Sequence, residues 1–442
     1  MGEVKRKISS SQIIILGFAG LILLGSLLLM LPVCTADREG ARFLEALFTA
    51  TSAACVTGLI VQDTATYWSG TGQFVIISLI QIGGLGIVTV AILIEILSGR
   101  KIGLKERSTM QDAISAHRVG GIVRLTGFIL KITLLFELLG ALVMAPVFCR
   151  EFGFWKGLWY GIFHSISAFC NAGFDLMGVK TQFSSLTYFV DHPIINFTIM
   201  GLIICGGLGF LTWEDVLKHH IHWRKYRMQS KVVLLTTLCL IMIPSLYFFL
   251  FEYEQIPLTG RIFRSLFQAV TPRTAGFNTT DIALFTETGI AVVILLMLIG
   301  GSPGSTAGGM KTTTLAVMVA TSLSVFRRRG DAHFYGRRIE AEIIRNAATI
   351  FMMYLTLCLF GGFAISTMEG LPLLTCLYET ASAVGTVGLT LGVTPQLGMA
   401  SKIILIFLMY AGRVGGLTLI FATMSGKKEV AVKFPKEKLT VG

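Results

Sequence analysis

Eight stretches of this chain are apolar for long enough to cross a membrane: residues 12–33, 73–98, 123–148, 193–213, 231–251, 286–325, 346–368 and 400–424. A helical crossing takes about 20 mainly apolar residues. The sixth stretch is too long for one straight crossing and is interrupted by glycines. An even number of spans puts both termini on one side. The run from Ile13 to Met30 follows Lys5, Arg6 and Lys7, as a signal peptide would, but no small-residue cleavage site closes it, so it reads as a first span.

Between spans one and two, three and four, five and six, and seven and eight lies a shorter, semi-apolar segment with a recurring end. The first reads Leu47-Phe48 and then Thr51-Ser52-Ala53-Ala54-Cys55-Val56-Thr57-Gly58-Leu59. The second is Ile162-Phe163-His164-Ser165, then Phe169-Cys170-Asn171-Ala172-Gly173-Phe174; the third is Leu266-Phe267-Gln268-Ala269, then Thr271-Pro272-Arg273-Thr274-Ala275-Gly276-Phe277. The fourth is Leu377-Tyr378-Glu379-Thr380, then Ser382-Ala383-Val384-Gly385-Thr386-Val387-Gly388-Leu389. Nine residues separate aromatic from glycine in three of them and eight in the third, and the glycines fall 115, 103 and 112 residues apart. The repeating unit is a span, a short amphipathic helix, a glycine-ended loop and a span. Its four copies occupy 1–110, 111–225, 226–335 and 336–426, followed by a tail at 427–442. Each copy begins and ends on the same side, so the repeats are parallel. A helix of about a dozen residues is too short to cross ~30 Å of hydrocarbon; it enters and returns, with its loop buried in protein or lining a cavity. The fold class expected is an all-α polytopic membrane protein: four parallel span–pore helix–span repeats, eight transmembrane helices in all, around a central pore.

Composition agrees. Of 442 residues, 53% are hydrophobic and 14% charged, against about 25% charged in a soluble domain. With a mean hydropathy of +0.74, the chain carries more apolar side chain than the core of a soluble globule hides, which argues against a soluble enzyme. The net charge of +12 does not mark a nucleic-acid binder, because the basic residues fall in short stretches between apolar runs. The N-terminus, 99–124, 214–231, 327–345 and the tail carry 25 of the 37 basic residues and 10 acidic ones; the opposite loops carry 9 basic and 13 acidic. That asymmetry makes the first side, with both termini, cytoplasmic. The eight cysteines are scattered without a CxxC pair, and His219, His220 and His222 lack the carboxylate or cysteine companions of a zinc site. Paired carboxylates, HExxH and nucleophile–base sets are absent from the sequence, which leaves an enzyme improbable.

Glycine allows backbone geometries that turn successive carbonyls to one side. Four such loops about an axis make carbonyl rings able to replace the water shell of a monovalent cation, with the negative ends of the short helices pointing inward. The plainer reading, glycines capping four surface turns, is disfavoured by their common register. These residues identify a resemblance: the chain looks like the potassium-translocating subunit of the Trk/Ktr/HKT superfamily, most closely the bacterial Ktr membrane subunit. Val56-Thr57-Gly58-Leu59, Asn171-Ala172-Gly173-Phe174, Thr271-Pro272-Arg273-Thr274-Ala275-Gly276-Phe277-Asn278 and Gly385-Thr386-Val387-Gly388-Leu389 carry it. It implies a potassium filter from Cys55, Val56, Thr57, Gly58, Asn171, Ala172, Gly173, Thr274, Ala275, Gly276, Thr386, Val387 and Gly388. Serine at the first glycine goes with sodium selectivity in that superfamily, so Gly58 favours potassium. Cys55 stands where relatives often carry Thr; a carbonyl ligand tolerates this, a hydroxyl ligand would be lost. Trk-type relatives commonly carry a further N-terminal pair of spans, which this sequence lacks, in keeping with the Ktr type.

Inside the sixth run, Gly300-Gly301-Ser302-Pro303-Gly304-Ser305-Thr306-Ala307-Gly308-Gly309-Met310-Lys311-Thr312-Thr313-Thr314 breaks the helix at membrane depth. It is not a phosphate loop, since Met310 separates Gly309 from Lys311 and no strand precedes it. A mobile plug over 301–314 and a passive kink both fit; the resemblance implies a gating loop, with Gly304, Ser305, Thr306, Gly308, Gly309 and Lys311 among its residues. Arg413 lies in Tyr410-Ala411-Gly412-Arg413-Val414-Gly415-Gly416, matching Gln81-Ile82-Gly83-Gly84-Leu85-Gly86 and Ile204-Cys205-Gly206-Gly207-Leu208-Gly209. An arginine within a span costs about 2.5–3.5 kcal/mol unless it faces water or a partner. Two roles stay open for it, a positive barrier in the cation path or a clamp on loop carbonyls; the resemblance favours the barrier, and Lys311 suits either. Arg273 is expected to pair with Asp281 or Glu379. Lys131 and Glu137 are too far apart in sequence to pair along their helix.

The function expected is a potassium-translocating subunit of a Ktr-type uptake system in the bacterial cell membrane. By resemblance it forms a homodimer, through the tail ending Thr440-Val441-Gly442, on a cytosolic RCK-type regulatory ring that binds ATP or ADP. Sodium stimulation is also implied, with no sodium site assignable. Potassium is cargo, membrane lipids surround the chain, and no organic cofactor or nucleic acid is expected. A sodium-permeable or sodium/potassium-coupled secondary transporter is the alternative, though such transporters often use inverted repeats.

Overall fold

The computed structural model describes residues 9–98 and 122–415, with Thr109, Gln111, Thr418 and Glu437. The basic N-terminal residues 5–7, most of the loop 99–124 and the tail 427–442 apart from Glu437 lie outside the described residues. The chain passes four times through a long helix, a short helix, a loop and a further helix. The first pass is α1 (Ser10–Leu29), α2 (Phe43–Ala54), α3 (Gly70–Leu85) and α4 (Ile87–Leu97). The second is α5 (Ile122–Phe152), α6 (Phe154–Phe169), α7 (Pro193–Gly207) and α8 (Phe210–His219). The third is α9 (Met228–Tyr247), α10 (Leu258–Val270), α11 (Glu287–Leu298) and α12 (Thr312–Phe326); the fourth is α13 (Ala341–Glu369), α14 (Leu373–Gly385) and α15 (Met399–Val414). After α12 a small hairpin pairs β1 (His333–Phe334) with β2 (Arg337–Arg338).

Four helices are individually long and apolar enough to cross a bilayer, at 10–29, 123–152, 228–252 and 341–369, and the pairs α3–α4 and α7–α8 add two if each is one broken span. The long helices turn leucines outward: Leu134, Leu138 and Leu142 stand one turn apart on α5 and are all exposed. Such a surface needs hydrocarbon around it, so this is a multi-pass membrane protein. The short helices α2, α6, α10 and α14 are instead held inside. Each is anchored by the aromatic of its repeat, Phe48, Phe163, Phe267 or Tyr378, and none of the four is more than 1% exposed.

Three expectations about the spans change. The second and fourth stretches are not straight: α3 meets α4 at 92°, and α7 meets α8 at 99°. Gly86 and Gly209 sit at these corners with φ of +85° and +87°, a conformation that side-chain-bearing residues avoid. Gly415 repeats it at φ +88° after α15; the rest of the eighth stretch, to 424, lies outside the described residues apart from Thr418. The sixth stretch is two helices separated by non-helical residues 299–311, so Thr312, Thr313 and Thr314 belong to the first turn of α12 rather than to the loop.

Candidate ion pathway

Each short helix runs straight into its glycine loop, and the four loops share one backbone signature. Positive φ recurs at the glycine and two residues before it: Val56 and Gly58, Asn171 and Gly173, Thr274 and Gly276, Thr386 and Gly388. Left-handed backbone at a β-branched residue such as Val56, Thr274 or Thr386 is strained by roughly 1–3 kcal/mol, and such strain collects at functional sites. Alternating the sign of φ along a strand turns its carbonyls toward a common side.

The glycines close a ring. A Cβ added to Gly58 would strike the Ala172 carbonyl oxygen; one on Gly173 would lie 2.6 Å from that of Ala275. One on Gly276 would strike the Val387 oxygen, and one on Gly388 the Thr57 oxygen, which returns to the first loop. The four segments therefore meet in chain order around one axis, each glycine seated on the carbonyl before the next glycine. Gly58, Gly173 and Gly388 are buried and Gly276 half-buried, so none caps a surface turn.

A set of hydroxyls that sequence reasoning passed over holds these loops in place. Gly58 N–H donates to Ser52 Oγ and Gly388 N–H to Ser382 Oγ, both at 3.0 Å. The Ser167 hydroxyl donates to Phe174 O (2.7 Å) and the Thr271 hydroxyl to Phe277 O (2.5 Å). All four are fully buried and stand at matching positions, six residues before the glycine, or five in the shorter third loop. Their recurrence was the available signal. Cys55 follows α2 as its buried C-cap, and the hydroxyls of Thr57 and Thr386 have no hydrogen-bond partner within the described residues. Asn171 Nδ2 reaches Arg273 O and Thr274 Oγ1 at 3.4 Å, tying the second loop to the third.

Outside the ring, a cavity of about 300 Å³ is lined by the four glycines and by Asp63, Asp175 and Asp281. Asp63 is pinned by the N–H groups of Ala65, Thr66 and Phe183. Burial pushes the Asp175 carboxyl up to about 6, against the Met177 N–H that stabilises its charge and with the Asp63 charge adding to the rise. Arg273 pairs with neither expected acid. Its Nη2 contacts Thr237 Oγ1 at 3.4 Å, while Asp281 caps a short turn and Glu379 accepts from Thr390, Leu391 and Thr394. Glu137 finds Gln81 Nε2 at 3.3 Å, and Lys131 stays exposed.

Inside the ring lies the loop 299–311. It closes on itself through Gly300 N–H to Met310 O (2.7 Å) and Thr312 N–H to Gly301 O (3.0 Å). It docks on the second repeat through Ser302 N–H to Gly207 O (2.9 Å), Thr306 N–H to Gly206 O (3.2 Å) and Thr306 Oγ1 to Phe169 O (2.9 Å). On the fourth repeat Gly308 packs against Thr386 Oγ1, and Gly309 against Gly385 O. Gly304 and Gly309 take positive φ, at +65° and +64°, and Ser305 Oγ has no partner among the described residues. Lys311 Nζ bonds Ala307 O (2.8 Å) and Gly308 O (3.3 Å) within the loop.

Arg413 joins these parts. Its Nη1 donates to Thr306 O at 2.5 Å, and its Nη2 to Gly83 O and, at 3.2 Å, to Gly84 O. A guanidinium from the fourth repeat thus holds the third repeat's loop and the first repeat's bend. It stands where the first and second repeats have glycine, Gly84 and Gly207. The glycine before each position explains the second repeat signal. Gly83, Gly206 and Gly412 press on the carbonyls of Ala54, Phe169 and Val384 at the ends of their own short helices, leaving no space for a Cβ.

The family model described as TrkH, cation transport protein, matches residues 9–429. The chain is 38% identical over 451 residues to the potassium/sodium uptake protein NtpJ of Enterococcus hirae, covering 100% of this chain and 99% of that protein. It is also 38% identical over 437 residues to the Ktr system potassium uptake protein B of Bacillus subtilis, covering 98% and 96%. In fold it is similar to the crystal structure of the potassium transporter TrkH from Vibrio parahaemolyticus, with a TM-score of 0.74 at 20% identity over 95% of this chain and 86% of that one.

Proposed function

Since the chain belongs to the TrkH family of cation transport proteins, we propose that it is the potassium-translocating membrane subunit of a Ktr-type uptake system in a bacterial cell membrane. The observation that carries this reading is the closed ring of four glycines, each loop alternating the sign of φ. The chain crosses the membrane eight times in four parallel repeats, bounded at 1–110, 111–225, 226–335 and 336–426, with both termini and the tail 427–442 in the cytoplasm. Broken pairs α3–α4 and α7–α8 each serve as one span, and α11 and α12 together make the sixth.

A potassium ion enters the outer cavity past Asp63, Asp175 and Asp281. It sheds water onto carbonyls of the loops 55–58, 171–173, 274–276 and 386–388. Fixed carbonyl dipoles cost no reorganisation, and the short helices add their negative ends. Below the ring the loop 299–311 obstructs the way, and Lys311 and Arg413 put positive charge beside it. Passage requires the loop to leave the carbonyls of Gly206 and Gly207 and the Arg413 guanidinium. Moving such a loop from 1:99 to 99:1 open takes about 5.5 kcal/mol of differential binding. A cytosolic RCK-type ring binding ATP or ADP beneath a homodimer of this chain supplies it, and sodium stimulates the flux. Of the two roles for Arg413, the hydrogen bonds to Thr306, Gly83 and Gly84 favour the clamp.

The test is potassium and sodium flux into liposomes holding the purified chain, with and without a Ktr cytosolic subunit. Flux strongly preferring potassium supports the reading; equal passage of both ions rejects the filter. The potassium/sodium name of the Enterococcus hirae relative favours a second reading, a sodium-permeable or sodium/potassium-coupled transporter. Potassium uptake that stops without sodium and carries sodium inward would select it.

A further inference from the structure

A cavity of about 590 Å³ lies on the flank of the molecule, away from the ring, between α9 and α12. Its walls are mainly apolar, with Leu235, Ile243 and Pro244 on one side, Leu315, Val319 and Leu323 on the other, and Thr236 and Ser324 among them. Leu235, Ile243, Val319 and Leu323 are each 46–69% exposed, so the groove opens along the hydrocarbon-facing surface rather than into the core. Its mouth changes character, for Arg327, Arg329 and His333 line it. Arg328 sits between the two arginines at φ +52°, a left-handed turn that ends α12 and leaves both neighbours on the same cavity. Arg329 Nη1 lies 3.1 Å from His333 Nε2, and neither Arg327 nor Arg329 has an acidic partner among the described residues; the nearby Asp331 pairs with Arg338. Two guanidinium groups without an acidic partner among the described residues, at the end of an apolar slot, call for an anion carried on a hydrocarbon chain.

We propose that this groove is a binding site for one anionic phospholipid, its acyl chain between α9 and α12 and its phosphate on Arg327 and Arg329. The assignment rests on the membrane topology above, which puts 327–345 at the cytoplasmic face. Basic pockets between membrane helices on that face attract anionic headgroups, and planar guanidinium groups bind phosphate through paired N–H bonds. A peptide with the same charge would leave the apolar depth unfilled. The site touches the ion pathway through its wall: α12 begins at Thr312, one residue after Lys311, so a lipid seated along α12 steadies the helix from which the obstructing loop departs.

Native mass spectrometry of the purified full chain, given phosphatidylglycerol or phosphatidylcholine, tests the site. Wild type is expected to retain phosphatidylglycerol about tenfold or more in preference. The double change Arg327→Gln with Arg329→Gln removes that preference from an exposed surface without touching packing, and Val319→Trp fills the slot and removes retention altogether. Equal retention of the two lipids by wild type, or a preference that survives both variants, overturns the proposal. So does a two-chain species abolished by Val319→Trp with no lipid retained, which gives the groove to a second copy. Potassium flux from the same preparations, with a Ktr cytosolic subunit added, separates the readings: lipid preference without flux rejects the transport reading alone, whereas flux without lipid preference rejects the lipid site alone.

Discussion

Adding a single Cβ at Gly58 sets a carbon against the Ala172 carbonyl oxygen, on backbone already at φ +93°. Strain of about 1–3 kcal/mol at one of four ring positions is expected to open the geometry toward a smaller, more strongly hydrated ion. Gly58→Ser should therefore lower the potassium-over-sodium flux ratio by about tenfold or more; an unchanged ratio removes Gly58 from the filter. Asp175 offers a second test. Because its carboxyl is raised to about 6, it gains a proton as outside pH falls through that value. The outer cavity then loses a negative charge, and potassium entry at low ionic strength should drop on the order of twofold to tenfold between pH 7.5 and 5. Asp175→Asn should flatten the profile, and a profile that survives the change assigns the titration elsewhere. The same shift runs the other way in stability, contributing below the ordinary carboxylate range and fading as pH rises through about 6. Gly58, Gly173, Gly276 and Gly388 were legible in the sequence because each follows its aromatic at nearly constant spacing. Ser52, Ser167, Thr271 and Ser382 recur just as regularly. They escaped because a hydroxyl in a helix of small residues has an ordinary alternative, a bond to its own backbone one turn back. The partner of Arg273 was misjudged because Thr237 lies in α9, a neighbour that only folding reveals.

At the scale of elements, the proposed transport depends on the loop 299–311 leaving the seat in which the structure holds it. Hydrogen bonds to a charged group are worth roughly 1.5–3 kcal/mol, so the contact of Arg413 with Thr306 O is a substantial share of what keeps the loop seated. Arg413→Gln should raise potassium flux in the absence of any cytosolic subunit. Arg413→Lys then separates the two roles. It keeps the positive charge but loses the planar fork that spans Thr306 and Gly83. A clamp predicts a leak of several-fold in the lysine variant; a barrier predicts flux as low as wild type. Flux assays on the two variants at equal expression decide between them. Hydropathy outlined all the long helices yet missed the corners at Gly86 and Gly209. A glycine inside an apolar run has the same composition whether the helix continues or turns, and the difference lies in φ alone. The loop's limits also moved from 301–314 to 299–311, since threonines after Lys311 read equally well as loop or as a first helical turn.

For the whole molecule, the asymmetry of 25 against 9 basic residues supports a proposed direction through the membrane that labelling can check. Single cysteines placed at the exposed Leu284 and Tyr335, on a background without the native thiols, should react with a membrane-impermeant maleimide from opposite sides: Leu284→Cys in intact cells and Tyr335→Cys only in inverted vesicles. Reaction of both from the same side would reverse or break the proposed topology. The ring order was implicit in the repeat, but its closure was not, because no local pattern states that the fourth loop returns to the first. Closure within one chain has a further consequence at Arg413. In an assembly of four identical subunits every substitution appears fourfold, and a guanidinium at this position would arrive as a charge of +4. A covalently joined foursome can write one arginine in the fourth repeat and keep glycine at the matching places of the first and second, Gly84 and Gly207. Such a chain adjusts the potential beside the loop 299–311 in steps of a single elementary charge, a resolution that exact symmetry forbids.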